Sequence, residues 1–83
     1  MKANAVLRLK FPSQRHLEII SKALVPEVRD PPSMRSRAFL EKEDTCLILK
    51  IESNDTVALR AAVNAYLRWI NSMVNVLRVL EKL

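Results

Sequence analysis

The chain has 83 residues, of which 49% are hydrophobic, and 14 Lys and Arg against 9 Asp and Glu give a net charge of +5. A chain this short is expected to form one domain, residues 1–83, which buries only about 60% of the surface exposed by its unfolded form. No apolar run approaches the roughly 20 residues that cross a bilayer, so the sequence predicts a soluble, cytoplasmic protein. The charge favours an anionic partner such as RNA.

Missing residue types exclude several kinds of site. The sequence contains no glycine, which phosphate-cradling loops, dinucleotide fingerprints and the clamp of KH domains need for close backbone approach or positive φ. Cys46 is the single cysteine and His16 the single histidine. An internal disulfide is impossible and a zinc site is disfavoured, so we expect no metal and no cofactor.

The first half of the chain predicts a strand and a helix. Residues 5–11 alternate apolar and polar, which is typical of a strand with one buried face. Ser13 can accept a hydrogen bond from the first free amides of a helix, and Leu17, Ile20 and Leu24 recur at helical spacing, so a helix is predicted over residues 14–25. Pro26 disfavours helical conformation at the residue before it, and residues 26–34 are predicted to form a loop.

The second half predicts two strands and a long helix. Residues 35–41 and 45–52 are the strands, joined by a turn at residues 42–44. Four residues suited to helix capping, 53–56, then precede a segment without Pro that is predicted to be helical to the C-terminus. The fold is therefore α+β, in the order β-α-β-β-α, with two helices on one face of a three-stranded antiparallel sheet and the third strand central.

The long helix carries more apolar surface than one small core can cover. Its polar residues from Arg60 to Lys82 fall on one narrow stripe, and apolar residues spread over an arc of about 240°, whereas packing on a single core needs about 100°. The first helix and the sheet could cover this surface in a large domain. In so short a chain we expect a partner helix to cover it, at Leu59, Val63, Ile70, Val74 and Leu77.

The outer face of the predicted sheet mixes basic and apolar residues: Val6, Arg8, Lys10, Arg37, Phe39, Ile48 and Lys50. It is either a solvated face, since single exposed apolar side chains are ordinary, or a surface for a second copy or an RNA backbone. Stacking of bases in the manner of an RRM is disfavoured, because Phe39 is the one aromatic residue there.

Catalysis is not expected. Asp55 is better explained as a helix cap, Cys46 as a small hydrophobic residue, and His16 as an exposed histidine without a structural role and without a visible acidic or nucleophilic partner. Because the usual catalytic roles cannot be filled, the sequence predicts a protein that is not an enzyme.

Three segments give the chain a resemblance to a known family: Ala23–Glu27, Leu47–Asp55 and, most specifically, Ala58–Arg68 with its Leu-Arg-Ala stretch followed by Asn. They resemble the small Pcc-type subunit of the KEOPS (EKC) complex. The resemblance implies a non-catalytic scaffold that pairs as a homodimer through its sheet and docks by its helices on the catalytic threonylcarbamoyltransferase subunit, which modifies tRNA to threonylcarbamoyladenosine.

Contact with tRNA through the assembly would suit Arg8, Lys10, Arg35, Arg37 and Lys50, although the family does not fix these positions. The alternative hypothesis is a free-standing small RNA-binding module that uses the basic face of the sheet.

Overall fold

The computed structural model describes residues 3–29 and 35–81. The elements are β1 (Ala3–Lys10), α1 (Gln14–Arg29), β2 (Ser36–Glu43), β3 (Cys46–Ser53) and α2 (Thr56–Glu81). They confirm the predicted α+β fold and its β-α-β-β-α order. Each strand boundary lies within about two residues of its predicted position, the uncertainty usual at element ends.

The sheet has the order β1-β3-β2, and both pairings are antiparallel, as predicted. β3 is central, so its apolar side chains have neighbours on both sides. Leu47, Leu49 and Ile51 point to the helix-covered face and are fully buried. The hairpin between β2 and β3 turns at Asp44 and Thr45, so the turn begins two residues later than the predicted residues 42–44. Asp44 has a positive φ of 55°. Asp tolerates this conformation because its short polar side chain can bond locally.

Helix α1 begins as predicted and ends later. The Ser13 hydroxyl accepts a hydrogen bond from the His16 amide at 3.3 Å, and Leu17, Ile20 and Leu24 are buried in the core. The predicted end at residue 25 is wrong, since α1 continues through Pro26 to Arg29. Tertiary contacts outweigh the local cost of proline, because Val28 packs against the core beyond it. The rest of the predicted loop, residues 30–34, lies outside the described residues.

Helix α2 begins at the predicted cap. Asp55 Oδ1 accepts a hydrogen bond from the Ala58 amide at 2.8 Å. The buried residues of α2 are Ala58, Ala62, Tyr66 and Ile70, one on each successive turn. At 1.5 Å per residue the helix is about 39 Å long, comparable with the longest dimension of the molecule, 43 Å. In the described part of α2, no residue after Ile70 is buried.

Candidate partner-binding surfaces

The five residues predicted to dock a partner lie along one side of α2 and differ in exposure. Ile70 is only 5% exposed and belongs to the core. The other four, Leu59, Val63, Val74 and Leu77, are half-buried and pack against the edge of the core. This side of α2 therefore offers part of each of these four side chains to a partner, while Ile70 supports it from beneath.

A cleft of about 430 Å³ opens beside the second half of this surface. Its apolar lining comes from α2 through Ile70, Val74 and Leu77, and from the end of β1 through Leu9 and Phe11. Polar side chains line it as well: Arg8, Lys10, His16, Arg78 and Glu81. Three of the five predicted docking residues thus line one concave site.

His16 connects the two helices at this cleft, and the sequence did not reveal it. Its Nε2 contacts Glu81 Oε1, while its Nδ1 lies 2.7 Å from the Ser13 hydroxyl. A carboxylate only accepts, and the Ser13 oxygen already accepts from the His16 amide, so we assign the proton to Nε2 and let the hydroxyl donate to Nδ1. The expectation of no acidic partner for His16 is therefore wrong. Glu81 lies 65 positions away, where no local pattern points to it.

A second apolar surface lies on the solvent side of α2. Val76, Val79 and Leu80 are more than half exposed, and together with Asn75 they form a shallow apolar notch. Leu67 and Val57 are exposed on the earlier turns. The apolar excess noted in the sequence is thus present on the surface, and it is concentrated after the helix has left the core.

The outer face of the sheet exposes two large apolar side chains, Val6 and Phe39, which flank Lys50 on neighbouring strands. Ile48 lies on the same face but is 4% exposed, so its expected exposure is wrong. It occupies the central strand between Arg8 and Glu41, whose longer side chains can cover it.

The basic residues of this face are partly neutralised. Lys50 pairs with Glu41 at 3.0 Å, Arg37 pairs with Glu52 at 3.4 Å, and Arg35 pairs with Asp55. The side chains of Arg8 and Lys10, the other two residues proposed for RNA contact, have no ion pair or hydrogen bond within residues 3–29 and 35–81. Among the five residues proposed for RNA contact, the two whose side chains remain unpaired therefore lie at the end of β1, beside the cleft.

Neither helix within residues 3–29 and 35–81 combines the length and the apolar character that a membrane span needs. Across these two ranges, no group of three or more His, Cys, Asp or Glu side chains could hold a metal ion.

Comparisons with known proteins give a consistent result. A family model described as "Transcription factor Pcc1" matches residues 4–78. The chain is similar to "KEOPS complex subunit Pcc1" from Pyrococcus abyssi (strain GE5 / Orsay), with 37% identity over 71 residues, which covers 86% of this chain and 87% of that protein. The family match extends from β1 into the last turns of α2. The chain belongs to the Pcc1 family.

Proposed function

We propose that this protein is a non-catalytic scaffold subunit of a KEOPS assembly that supports tRNA threonylcarbamoyladenosine modification. It docks on the catalytic threonylcarbamoyltransferase subunit through α2. The observation that carries this proposal is the exit of α2 from the core: no residue of the described helix after Ile70 is buried, so Val74 and Leu77, on the side that borders the cleft, stay partly exposed. An apolar helix surface of this kind is stabilised by packing against helices of a partner.

Membership of an assembly is supported by the similarity to a protein named as a KEOPS complex subunit. The docking face is the side of α2 formed by Leu59, Val63, Ile70, Val74 and Leu77. It offers a partner both half-buried side chains and a concave site, as tight protein interfaces require at their centre.

Pairing with a second copy is the other part of the proposed role. Val6 and Phe39 expose apolar surface on either side of Lys50 on the outer face of the sheet. Protein interfaces that form between separately folded partners are about as apolar as the rest of the surface, so a face of mixed apolar and charged side chains suits pairing.

A free-standing RNA-binding module is less well supported. Three of its five proposed contact residues, Arg35, Arg37 and Lys50, already pair with carboxylates of the same chain. Each such pair would have to open, or share its cation, before it could neutralise a phosphate.

The experiment measures binding of the purified catalytic subunit by isothermal titration calorimetry. Val74→Asp should weaken binding by about tenfold or more, because it places a charge without a partner in an apolar contact. Ile70 is unsuitable for this test, since Asp at a core position would unfold the chain. Asn71→Asp is the matched control: it adds the same charge one turn away on the polar stripe and should leave the affinity unchanged.

Circular dichroism of both variants should match that of the unmodified protein, which would show that they stay folded. Undiminished binding by a folded Val74→Asp protein would rule out this docking face. For RNA binding, affinity should fall steeply as salt rises, whereas apolar helix packing should respond little.

A further inference from the structure

The cleft between the end of β1 and the last turns of α2 is lined by both apolar and cationic residues. Its floor is aliphatic, formed largely by Val74 and Leu77 above the core residue Ile70. The rim carries cations on two sides, Lys10 and Arg8 from β1 and Arg78 from α2. The site therefore combines an apolar base with cationic residues that both β1 and α2 contribute.

The positive charge at this rim is available to a ligand. Within residues 3–29 and 35–81, the side chains of Arg8, Lys10 and Arg78 form no ion pair or hydrogen bond. Glu81 is the one carboxylate that lines the cleft in the described chain, and His16 already contacts it. Cations that remain unpaired beside an apolar surface attract carboxylates or phosphates without first breaking an internal contact.

The floor distinguishes between these two anions. Single-stranded RNA is held by stacking its bases on exposed aromatic rings, and the aromatic residue that lines this cleft, Phe11, is only 7% exposed. Aliphatic side chains of a protein fit the floor formed by Val74 and Leu77 better than bases do. The site thus favours an acidic peptide over a nucleic acid.

We propose that this cleft binds an extended segment of alternating aliphatic and acidic residues, contributed by the docking partner. In an extended segment successive side chains point in opposite directions. Aliphatic side chains would enter the floor, while carboxylates would reach Lys10 and Arg8 on one wall and Arg78 on the other. This inference rests on the proposed docking function and specifies the chemistry of the partner there.

The probe is a synthetic eight-residue peptide of alternating leucine and glutamate, titrated into the ¹⁵N-labelled protein and followed by amide chemical shifts. The shifts should concentrate at Leu9–Phe11 and at residues 74–81. The double variant Lys10→Glu/Arg78→Glu should weaken peptide binding at least tenfold, because it reverses the charge of both walls. Lys22→Glu/Arg60→Glu, which reverses two exposed cations away from the cleft, should bind as the unmodified protein does.

Three results would overturn the proposal. They are shifts that centre elsewhere, equal binding of a leucine–lysine peptide, and tighter binding of a single-stranded RNA oligonucleotide at the same amides.

The catalytic subunit separates this inference from the docking proposal. Val63→Asp changes the docking face outside the cleft. If Val63→Asp weakens binding of the catalytic subunit and Lys10→Glu/Arg78→Glu does not, α2 docks the partner and the proposal of an acidic segment is wrong. If only the charge reversal weakens binding, the cleft chemistry stands and the docking face of α2 is wrong.

Discussion

The Tyr66 hydroxyl donates a hydrogen bond to the backbone carbonyl of Glu27 at 3.2 Å, which joins the middle of α2 to the end of α1. Glu27 lies in the last turn of α1, where carbonyls have no partner within the helix. The bond satisfies one of these carbonyls in the part of α1 that continues past Pro26. It therefore helps to hold a helical turn that local sequence disfavours.

Removing the Tyr66 hydroxyl should destabilise the protein. Tyr66→Phe leaves the Glu27 carbonyl without its donor and should lower the free energy of unfolding by about 1 kcal/mol, the net value of one such bond. Urea denaturation measures the change, and hydrogen exchange should show faster opening of the end of α1. An unchanged urea midpoint would mean that this bond contributes nothing to stability.

Tyr66 also makes the free energy of unfolding depend on pH in the alkaline range. Burial, and secondly the negative charge of Glu27, raise the pKa of Tyr66 above its ordinary value of about 10. Above pH 10 the unfolded chain loses the phenolic proton while the folded chain retains it, so the free energy of unfolding falls as pH rises toward the folded pKa.

Urea midpoints between pH 8 and about 11 test this dependence. Because lysines also titrate there, the quantity compared is the difference between the unmodified protein and Tyr66→Phe. That difference should shrink as the pH rises, and a constant difference would contradict the expectation.

Asp55 should stabilise the start of α2 chiefly as a cap. Asp55→Ala removes the acceptor of the Ala58 amide and should cost about 1 kcal/mol. Asp55→Asn keeps an acceptor oxygen and loses the charge that faces Arg35, an exposed pair of small value, so it should cost less. Thermal unfolding of both variants decides between the two roles. Equal losses would mean that the ion pair, not the cap, is what matters.

Self-pairing through the sheet predicts that a charged substitution on its outer face lowers the molecular mass of the protein in solution. The unmodified protein should scatter light as a dimer at micromolar concentration, and Phe39→Asp should shift it toward a monomer, because a charge would replace the largest exposed apolar side chain of this face. Val57→Asp adds the same charge at an exposed site on α2 and should leave the mass unchanged. A monomeric unmodified protein would contradict pairing altogether.

Much of the fold could be read from local patterns. Alternation identified the strands, and the inward residues Leu47, Leu49 and Ile51 are buried as their period of two requires. Ser13 and Asp55 were recognisable as caps because a cap depends on residues only three positions apart. The wide apolar arc of α2 was visible for the same reason, since helical periodicity needs no tertiary information.

Other features are decided by contacts between residues distant in sequence. Pro26 lies inside α1 because Val28 and Tyr66 hold the following turn, and Ile48 is buried because neighbouring strands cover it. The cleft combines residues 8–12 with residues 70–81, and His16 meets Glu81 across it. Sequence alone determined the type and order of the elements and the apolar face of each of them. Only the tertiary structure decided which of those faces the chain covers itself, because that depends on where β1, α1 and α2 meet in space.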